Sequence, residues 1–130
     1  MNVSELRWTP PPRSWLGKFA DSFRGLFLAI TTESSFAAHL PVAFAAVVLA
    51  AWLGIEPIEW CLVVMAIGGV IAAEIFNTSI ESLAKALDSG PDPRIGKALD
   101  TASAGVLTAV GAAILVGLVI FGPRLVALVL

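Results

Sequence analysis

The sequence predicts an all-α integral membrane protein, with an N-terminal amphipathic helix lying in the membrane interface and three transmembrane helices. The mean hydropathy is +0.89. The hydrophobic fraction is 58%, against roughly 45–50% in ordinary soluble domains. Only 14% of residues are charged, and three long apolar stretches are of the kind that spans a bilayer as a helix of about 20 residues. A length of 130 residues indicates a single domain.

The N-terminal part of the chain contains a tail and then the amphipathic helix. Residues 1–13 include Pro10-Pro11-Pro12, which blocks a helix and predicts a disordered tail. Ser14 is a suitable N-cap for a helix over 14–32. Cations lie between its apolar residues, a pattern typical of an interfacial helix. The apolar residues recur at the spacing of one helical stripe: Trp15, Leu16, Phe19, Phe23, Leu26, Phe27 and Ile30.

Three membrane spans follow within a single membrane domain, 14–130. A helix break over 31–35 precedes the first, with Ser35 as a candidate cap. Pro57 suits the first position of the second span, and Asp92 with Pro93 suits the N-cap and first position of the third. Gly122-Pro123 is predicted to end the third span. The predicted ranges are 36–54, 58–87 and 94–121.

The cations that flank the spans predict the orientation of the chain. Only Arg124 follows the third span, and no cation lies between the first two. The positive-inside rule therefore places the N-terminus and the second loop in the cytoplasm. The sequence contains no basic patch interleaved with aromatic residues, so no nucleic-acid partner is expected. The cytoplasmic cations are Arg7, Arg13, Lys18, Arg24, Lys85, Arg94 and Lys97.

A polar stripe marks the far half of the second span. Glu74, Asn77 and Glu81 stand at i, i+3 and i+7, which places them on one face of a helix. The two carboxylates are then separated by roughly 10 Å along the helix axis. Because such groups are expensive in lipid, they are expected to face protein, water or a ligand.

The predicted orientation brings two more carboxylates to the same membrane depth. Glu33 precedes the first span and Asp100 begins the third. Several carboxylates in a dry setting repel one another unless a cation lies among them, and oxygen ligands favour Mg²⁺. Such a site suits phosphoryl transfer, with one carboxylate left as a general base. The residues alone leave an ion- or proton-coupled membrane protein as an alternative.

Three other polar residues receive simpler interpretations. Glu56 and Glu59 lie on the opposite side of the membrane and are predicted to be solvated. His39 lies near the start of the first span, where it is expected to be an interfacial or packing residue and not a ligand.

Three segments resemble the prokaryotic diacylglycerol kinase and undecaprenol kinase family, which consists of small integral-membrane lipid kinases. The most specific is the pattern Glu-x-x-Asn-Thr-Ser-Ile-Glu over 74–81. The segment Ser22-Phe23-Arg24-Gly25, followed by Glu33 and Phe36, is similar to the family's amphipathic segment. The segment Lys97-Ala98-Leu99-Asp100 is similar to the opening of the family's last helix.

The resemblance implies a homotrimer of the bacterial cytoplasmic membrane, with sites built between subunits. Its members transfer the γ-phosphate of ATP to the hydroxyl of undecaprenol or diacylglycerol, with Mg²⁺. Glu74 is then the general base, and Glu33 and Glu81 hold the metal. Glu74 and Ser103 are assigned to the lipid substrate. The residues assigned to the nucleotide are Asn77, Glu81, Asp100, Lys97, Lys85 and Glu33.

Three positions depart from the family's pattern. Leu99 stands where the family usually has a phosphate-binding Lys, and Ala37 where it commonly has Arg. Lys85 stands where it commonly has Asp, and is expected to restore part of the lost positive charge. These departures favour, as an alternative, a member that has lost catalysis or uses another donor. His39 resembles the residue of undecaprenol-type members, which favours undecaprenol slightly.

Overall fold

The computed structural model describes residues 13–87, 90 and 92–130, which fold as four α-helices. Three of these helices, α2, α3 and α4, are long and apolar enough to cross a membrane, so the predictions of an all-helical fold and of three helices able to span a membrane are confirmed. Residues 1–12 of the predicted tail, and residues 88, 89 and 91 of the loop before α4, lie outside the described residues. The helices are α1 Trp15–Thr32, α2 Ser34–Leu53, α3 Pro57–Leu87 and α4 Pro93–Val129.

Three helix starts lie where capping chemistry predicts them. The Ser14 hydroxyl accepts a hydrogen bond from the Gly17 backbone N–H at 3.1 Å. Pro57 is the first residue of α3. Asp92 caps α4 by accepting from the Arg94 N–H at 2.8 Å. The Arg94 side chain also donates to this carboxylate, and these hydrogen bonds hold the pKa of Asp92 below its ordinary value.

The break between α1 and α2 is shorter than predicted. Glu33 alone has extended backbone, with φ −97° and ψ 126°, and α2 begins at Ser34. The prediction that Ser35 caps this helix is therefore wrong, because Glu33 holds the N-cap position and Ser35 lies inside the helix. Ala29 and Phe36 are buried on either side of the break.

The last helix is longer than predicted, because α4 continues through Pro123 to Val129. Pro123 has no N–H to donate to the carbonyl four residues earlier. The neighbouring Arg124 donates from its side chain to the Ile120 carbonyl at 2.7 Å. The carbonyl that loses its donor is that of Val119, and membrane helices tolerate such an interruption. The prediction that Gly122-Pro123 ends the helix is therefore wrong, because one missing hydrogen bond does not stop α4.

Arg124 also corrects the prediction for Glu59. The guanidinium donates to both carboxylate oxygens of Glu59, at 2.9 and 2.7 Å. The Glu56 backbone N–H donates to the same carboxylate at 2.8 Å, as in one half of a capping box. Glu59 is therefore paired rather than simply solvated. Because it lies at the start of α3 and Arg124 near the end of α4, these two helices run antiparallel.

The packed core lies near this ion pair. It consists of Ala50, Ile55, Val63 and Ile120, from α2, the following turn, α3 and α4. α3 packs most extensively against α4. Only 6–11% of the residues in the apolar windows of the spans are buried, so most of the apolar surface faces outward. This surface is available to lipid or to another protein.

Aromatic residues of α1 also face outward. Trp15, Phe19, Phe23 and Phe27 are all exposed. The Lys18 ammonium lies 4.5 Å from the centre of the Trp15 ring, in the range of a cation–π interaction. An interfacial helix would place such aromatic residues against lipid. The interfacial position of α1 stays a prediction.

Candidate functional site

The polar stripe lies on one uninterrupted helix. α3 is continuous through Glu74, Asn77 and Glu81, so helical geometry stacks the three side chains on one face. Glu74 is 4% exposed and is the only buried charged residue in the described part of the chain. Asn77 and Glu81 are partly buried. The most enclosed member of the stripe is thus the carboxylate predicted to be the base.

His39 of α2 contacts this carboxylate. The distance between His39 Nε2 and Glu74 Oε1 is 2.8 Å. An ionised carboxylate can only accept hydrogen bonds, so Nε2 is the donor when Glu74 is ionised. The expectation that His39 only packs or lies in the interface is therefore incomplete. The signal that could have found it is a single imidazole in an apolar span, because a buried polar ring needs a partner.

Asn77 and Glu81 form a second pair one turn further along α3. The Asn77 amide donates from Nδ2 to Glu81 Oε1 at 2.8 Å. The Lys85 ammonium lies 4.0 Å from Glu81 Oε2 and is largely exposed. The other amide atom, Asn77 Oδ1, is buried and has no hydrogen-bond partner among the described residues. Since a buried acceptor is expensive to leave unpaired, this oxygen is a candidate contact for a ligand.

The remaining predicted residues belong to the corner between α1 and α2 or to the start of α4. Glu33 lines a cavity of about 460 Å³ at the corner between α1 and α2. Lys97, Asp100 and Ser103 lie in the first turns of α4 and are exposed. Between residues 13 and 130, leaving aside 88, 89 and 91, no hydrogen bond or ion pair joins these four residues to the stripe. The structure therefore brings together Glu74 with His39, and Asn77 with Glu81 and Lys85.

The described residues offer few grouped ligands for a metal ion. Within the described ranges, no three His, Cys, Asp or Glu side chains are grouped closely enough to hold a metal ion. Mg²⁺ commonly takes only one or two carboxylates and completes its shell with water and phosphate oxygens. Glu81 and the unpaired Asn77 oxygen are of the hard-oxygen type that this ion prefers.

An apolar cavity of about 380 Å³ lies among α2, α3 and α4. Its wall includes Ala43, Val70 and Gly117, one from each helix. Of the described residues that line it, His39 alone has a polar side chain. His39 is therefore shared between this cavity and the hydrogen bond to Glu74.

Comparison with known proteins identifies the family. Residues 20–121 match the sequence model of the family Prokaryotic diacylglycerol kinase. The chain belongs to this family. It is 30% identical over 117 residues to Undecaprenol kinase of Bacillus subtilis (strain 168), a match that covers 87% of this chain and 95% of the relative. It is 32% identical over 94 residues to Diacylglycerol kinase of Escherichia coli (strain K12), covering 72% of this chain and 77% of the relative.

Membership of the prokaryotic diacylglycerol kinase family confirms the resemblance carried by the three sequence segments. The matched range, 20–121, includes Glu33, the whole polar stripe and Asp100. It stops before Arg124, so one partner of the ion pair at the other end of α3 lies beyond the match. The two relatives are named for different lipids, so the family match leaves the lipid open.

Proposed function

We propose that this member of the prokaryotic diacylglycerol kinase family transfers the γ-phosphate of ATP to the hydroxyl of a membrane lipid, either undecaprenol or diacylglycerol. The single observation that carries the proposal is the buried Glu74 carboxylate, held by His39 inside a membrane-spanning helix. An ionisable group at such a place is costly and indicates function. The relatives named as lipid kinases support the same reaction class.

Glu74 is the proposed general base. Its carboxylate accepts the proton of the lipid hydroxyl. The hydroxyl oxygen then forms a bond to the γ-phosphorus, as the bond between this phosphorus and the bridging oxygen of ADP breaks. The proton remains on Glu74 until water removes it. Ser103, exposed near the start of α4, is proposed to contact the lipid head.

Glu33 and Glu81 are the proposed ligands of Mg²⁺. The unpaired Asn77 oxygen beside Glu81 supports this proposal, because it adds a hard-oxygen donor next to the carboxylate. The ion, when bound, would neutralise phosphate charge. Lys85, at the end of α3, and Lys97 and Asp100, at the start of α4, are proposed to bind the nucleotide with Asn77, Glu81 and Glu33. Exposed positions at the same end of two helices suit a water-soluble substrate.

A homotrimer is proposed as the active form. The spans leave most of their apolar surface uncovered within one chain, which a neighbouring copy could cover. Glu33 and Asp100 make no hydrogen bond or ion pair with the polar stripe in the described part of a single chain. Sites built between subunits would let another copy supply such residues. The N-terminus is proposed to lie in the cytoplasm of a bacterial cell, with the chain in its inner membrane.

Leu99 favours a second candidate function, a family member that has lost catalysis or uses another donor. This side chain is apolar and partly buried, in the place where a phosphate-binding lysine is expected. A third candidate, a carboxylate-based ion- or proton-coupled protein, is favoured only by the buried Glu74. Transfer of phosphate to a lipid distinguishes the kinase from the non-catalytic candidate. Ion flux without ATP distinguishes the ion-coupled candidate from both.

The experiment uses the purified protein in nanodiscs, with ATP labelled at its γ-phosphate, Mg²⁺, and either undecaprenol or diacylglycerol. Glu74→Gln and Glu81→Gln are assayed beside the wild type. We expect label in one lipid, lost in both variants, which would also identify the substrate. No transfer by a folded trimer would overturn the proposal and favour the non-catalytic candidate. Proton or cation flux into liposomes without ATP would favour the ion-coupled candidate.

A further inference from the structure

A hydrogen bond joins His39 of α2 to Glu74 of α3. His39 and Glu74 meet at 2.8 Å, with side chains 25% and 6% exposed. His39 is the only described residue that donates a hydrogen bond to this carboxylate. The other residues of the adjoining cavity wall, such as Ala43 and Val70, carry no side-chain donor. The direction of the carboxylate therefore depends on one imidazole.

The two carboxylate oxygens of Glu74 differ in their hydrogen bonds. Oε1 is engaged by His39, whereas Oε2 has no hydrogen-bond partner in the part of the chain that the structure describes. A glutamate without a partner is free to change its terminal torsion, which is broad and poorly restrained. A general base must lie within hydrogen-bond reach of the proton that it accepts. A fixed donor on Oε1 thus presents Oε2 in one direction.

The same imidazole borders the apolar cavity of about 380 Å³ among α2, α3 and α4. An alcohol attached to a hydrocarbon chain would carry its hydroxyl at such a boundary between apolar and polar surroundings. We propose that His39 is a positioning residue, which donates from Nε2 to Glu74 Oε1 and holds Oε2 toward the hydroxyl of the lipid acceptor. This inference rests on the proposed kinase function and deepens it.

The test compares His39→Leu with His39→Gln in the lipid-phosphorylation assay. Glutamine carries an amide N–H near the position of Nε2, whereas leucine carries no donor. For His39→Leu we expect kcat to fall about 10- to 100-fold, the loss expected when a catalytic group is misplaced by about 1 Å. The KM for ATP should change by less than about twofold, since ground-state binding of the nucleotide is untouched. His39→Gln should recover most of the lost kcat.

Two controls separate a loss of the hydrogen bond from a loss of folding. Thermal unfolding in detergent verifies that each variant folds. Should His39→Leu not fold, His39→Asn replaces it, because its shorter amide does not reach the position of Nε2. The inference is overturned if kcat of a folded His39→Leu or His39→Asn protein stays within about twofold of the wild type, a change too small for a misplaced base. It is also overturned if His39→Gln is no more active than His39→Leu, or if the loss lies in the KM for ATP.

Glu74→Gln separates this inference from the function on which it rests. An active wild type and an inactive Glu74→Gln variant, with His39→Leu unimpaired, would leave the kinase proposal standing and reject the role of His39. A folded wild type that phosphorylates neither lipid would reject both.

Discussion

The two ends of α3 each carry a polar cluster, but only one of them is complete. At the start, both oxygens of Glu59 are bonded to Arg124, and the Glu56 N–H adds a third contact. Further along, Asn77 Oδ1 is buried with no partner among the described residues, and Glu74 has one donor, His39. A cluster whose hydrogen bonds are complete can serve to hold helices together, whereas one with an unpaired buried atom is a candidate ligand site.

The contrast follows from the cost of burying polar groups. In surroundings of low dielectric constant a complete network is stable, while each unpaired group carries a desolvation penalty. Such a penalty is tolerated where a ligand or a reaction supplies the missing partner. The incomplete end of α3 therefore has the character of a site, and the complete end that of a structural contact. The predictions below test this difference.

The largest effect is expected from Glu74→Gln. Removing a general base lowers kcat by roughly 10²- to 10⁴-fold, because the amide cannot accept the hydroxyl proton. The KM for ATP should remain near the wild-type value. Steady-state lipid phosphorylation measures both constants, with Glu59→Gln as the matched variant at the other end of the helix. Full activity in Glu74→Gln would contradict the proposed base.

Glu81→Gln should raise the requirement for Mg²⁺. The substitution removes a charged oxygen ligand but keeps an acceptor for the Asn77 amide. We expect the half-saturating Mg²⁺ concentration to rise by about tenfold, as for other perturbed metal shells. The rate is measured against Mg²⁺ at fixed ATP. An unaltered Mg²⁺ dependence would remove Glu81 from the proposed ligand set.

Arg124→Gln should affect stability and not chemistry. Glu59 then loses both guanidinium contacts, and the Ile120 carbonyl beside Pro123 loses a donor. We expect the Tm in detergent to fall by on the order of 5 °C, with kcat of the remaining folded protein unchanged. Glu59→Gln should behave similarly, and the double variant should be no less stable than the worse single one. If Arg124→Gln lost activity without losing stability, the cluster at the start of α3 would also have a role in the reaction, which would contradict the comparison.

The smallest effect is expected from Lys85→Ala. The lysine is exposed and lies at the outer distance for an ion pair with Glu81, 4.0 Å. Its loss should raise the KM for ATP about two- to fivefold, the scale of an exposed charge interaction, and leave kcat near the wild-type value. Lys85→Arg, which keeps the charge, is the control. An unchanged KM would refute a role for Lys85 with the nucleotide.

Local chemistry explains which helix ends could be predicted. Ser14 and Asp92 act as N-caps through their own side chains, and Pro57 begins α3 because its missing N–H is not needed there. The end of α4 could not be predicted in this way. Pro123 stays within the helix beside Arg124, whose partner Glu59 lies 65 residues away. Capping residues and helix breakers near Pro123 cannot predict a contact between residues so far apart in the sequence.

The candidate site likewise has one part that the local sequence predicts and one part that depends on a distant contact. Spacing alone places Glu74, Asn77 and Glu81 on one face, because all three belong to one helix of regular period. The contact between His39 and Glu74 joins residues 35 positions apart on two helices. No spacing within the chain predicts the register of one helix against another. The sequence therefore predicts only an interfacial or packing role for His39, although this residue contacts the proposed base.

The amino-acid sequence by itself determined that the chain is helical, which stretches are apolar enough to span a membrane, and which polar residues share the face of α3. These properties depend on hydropathy, capping and helical period, all of which act within a few turns of one helix. The tertiary structure decided which polar groups are paired. It paired Glu59 with Arg124 and Glu74 with His39 and left Asn77 Oδ1 open, because pairing depends on how separate helices pack and at what height their side chains meet.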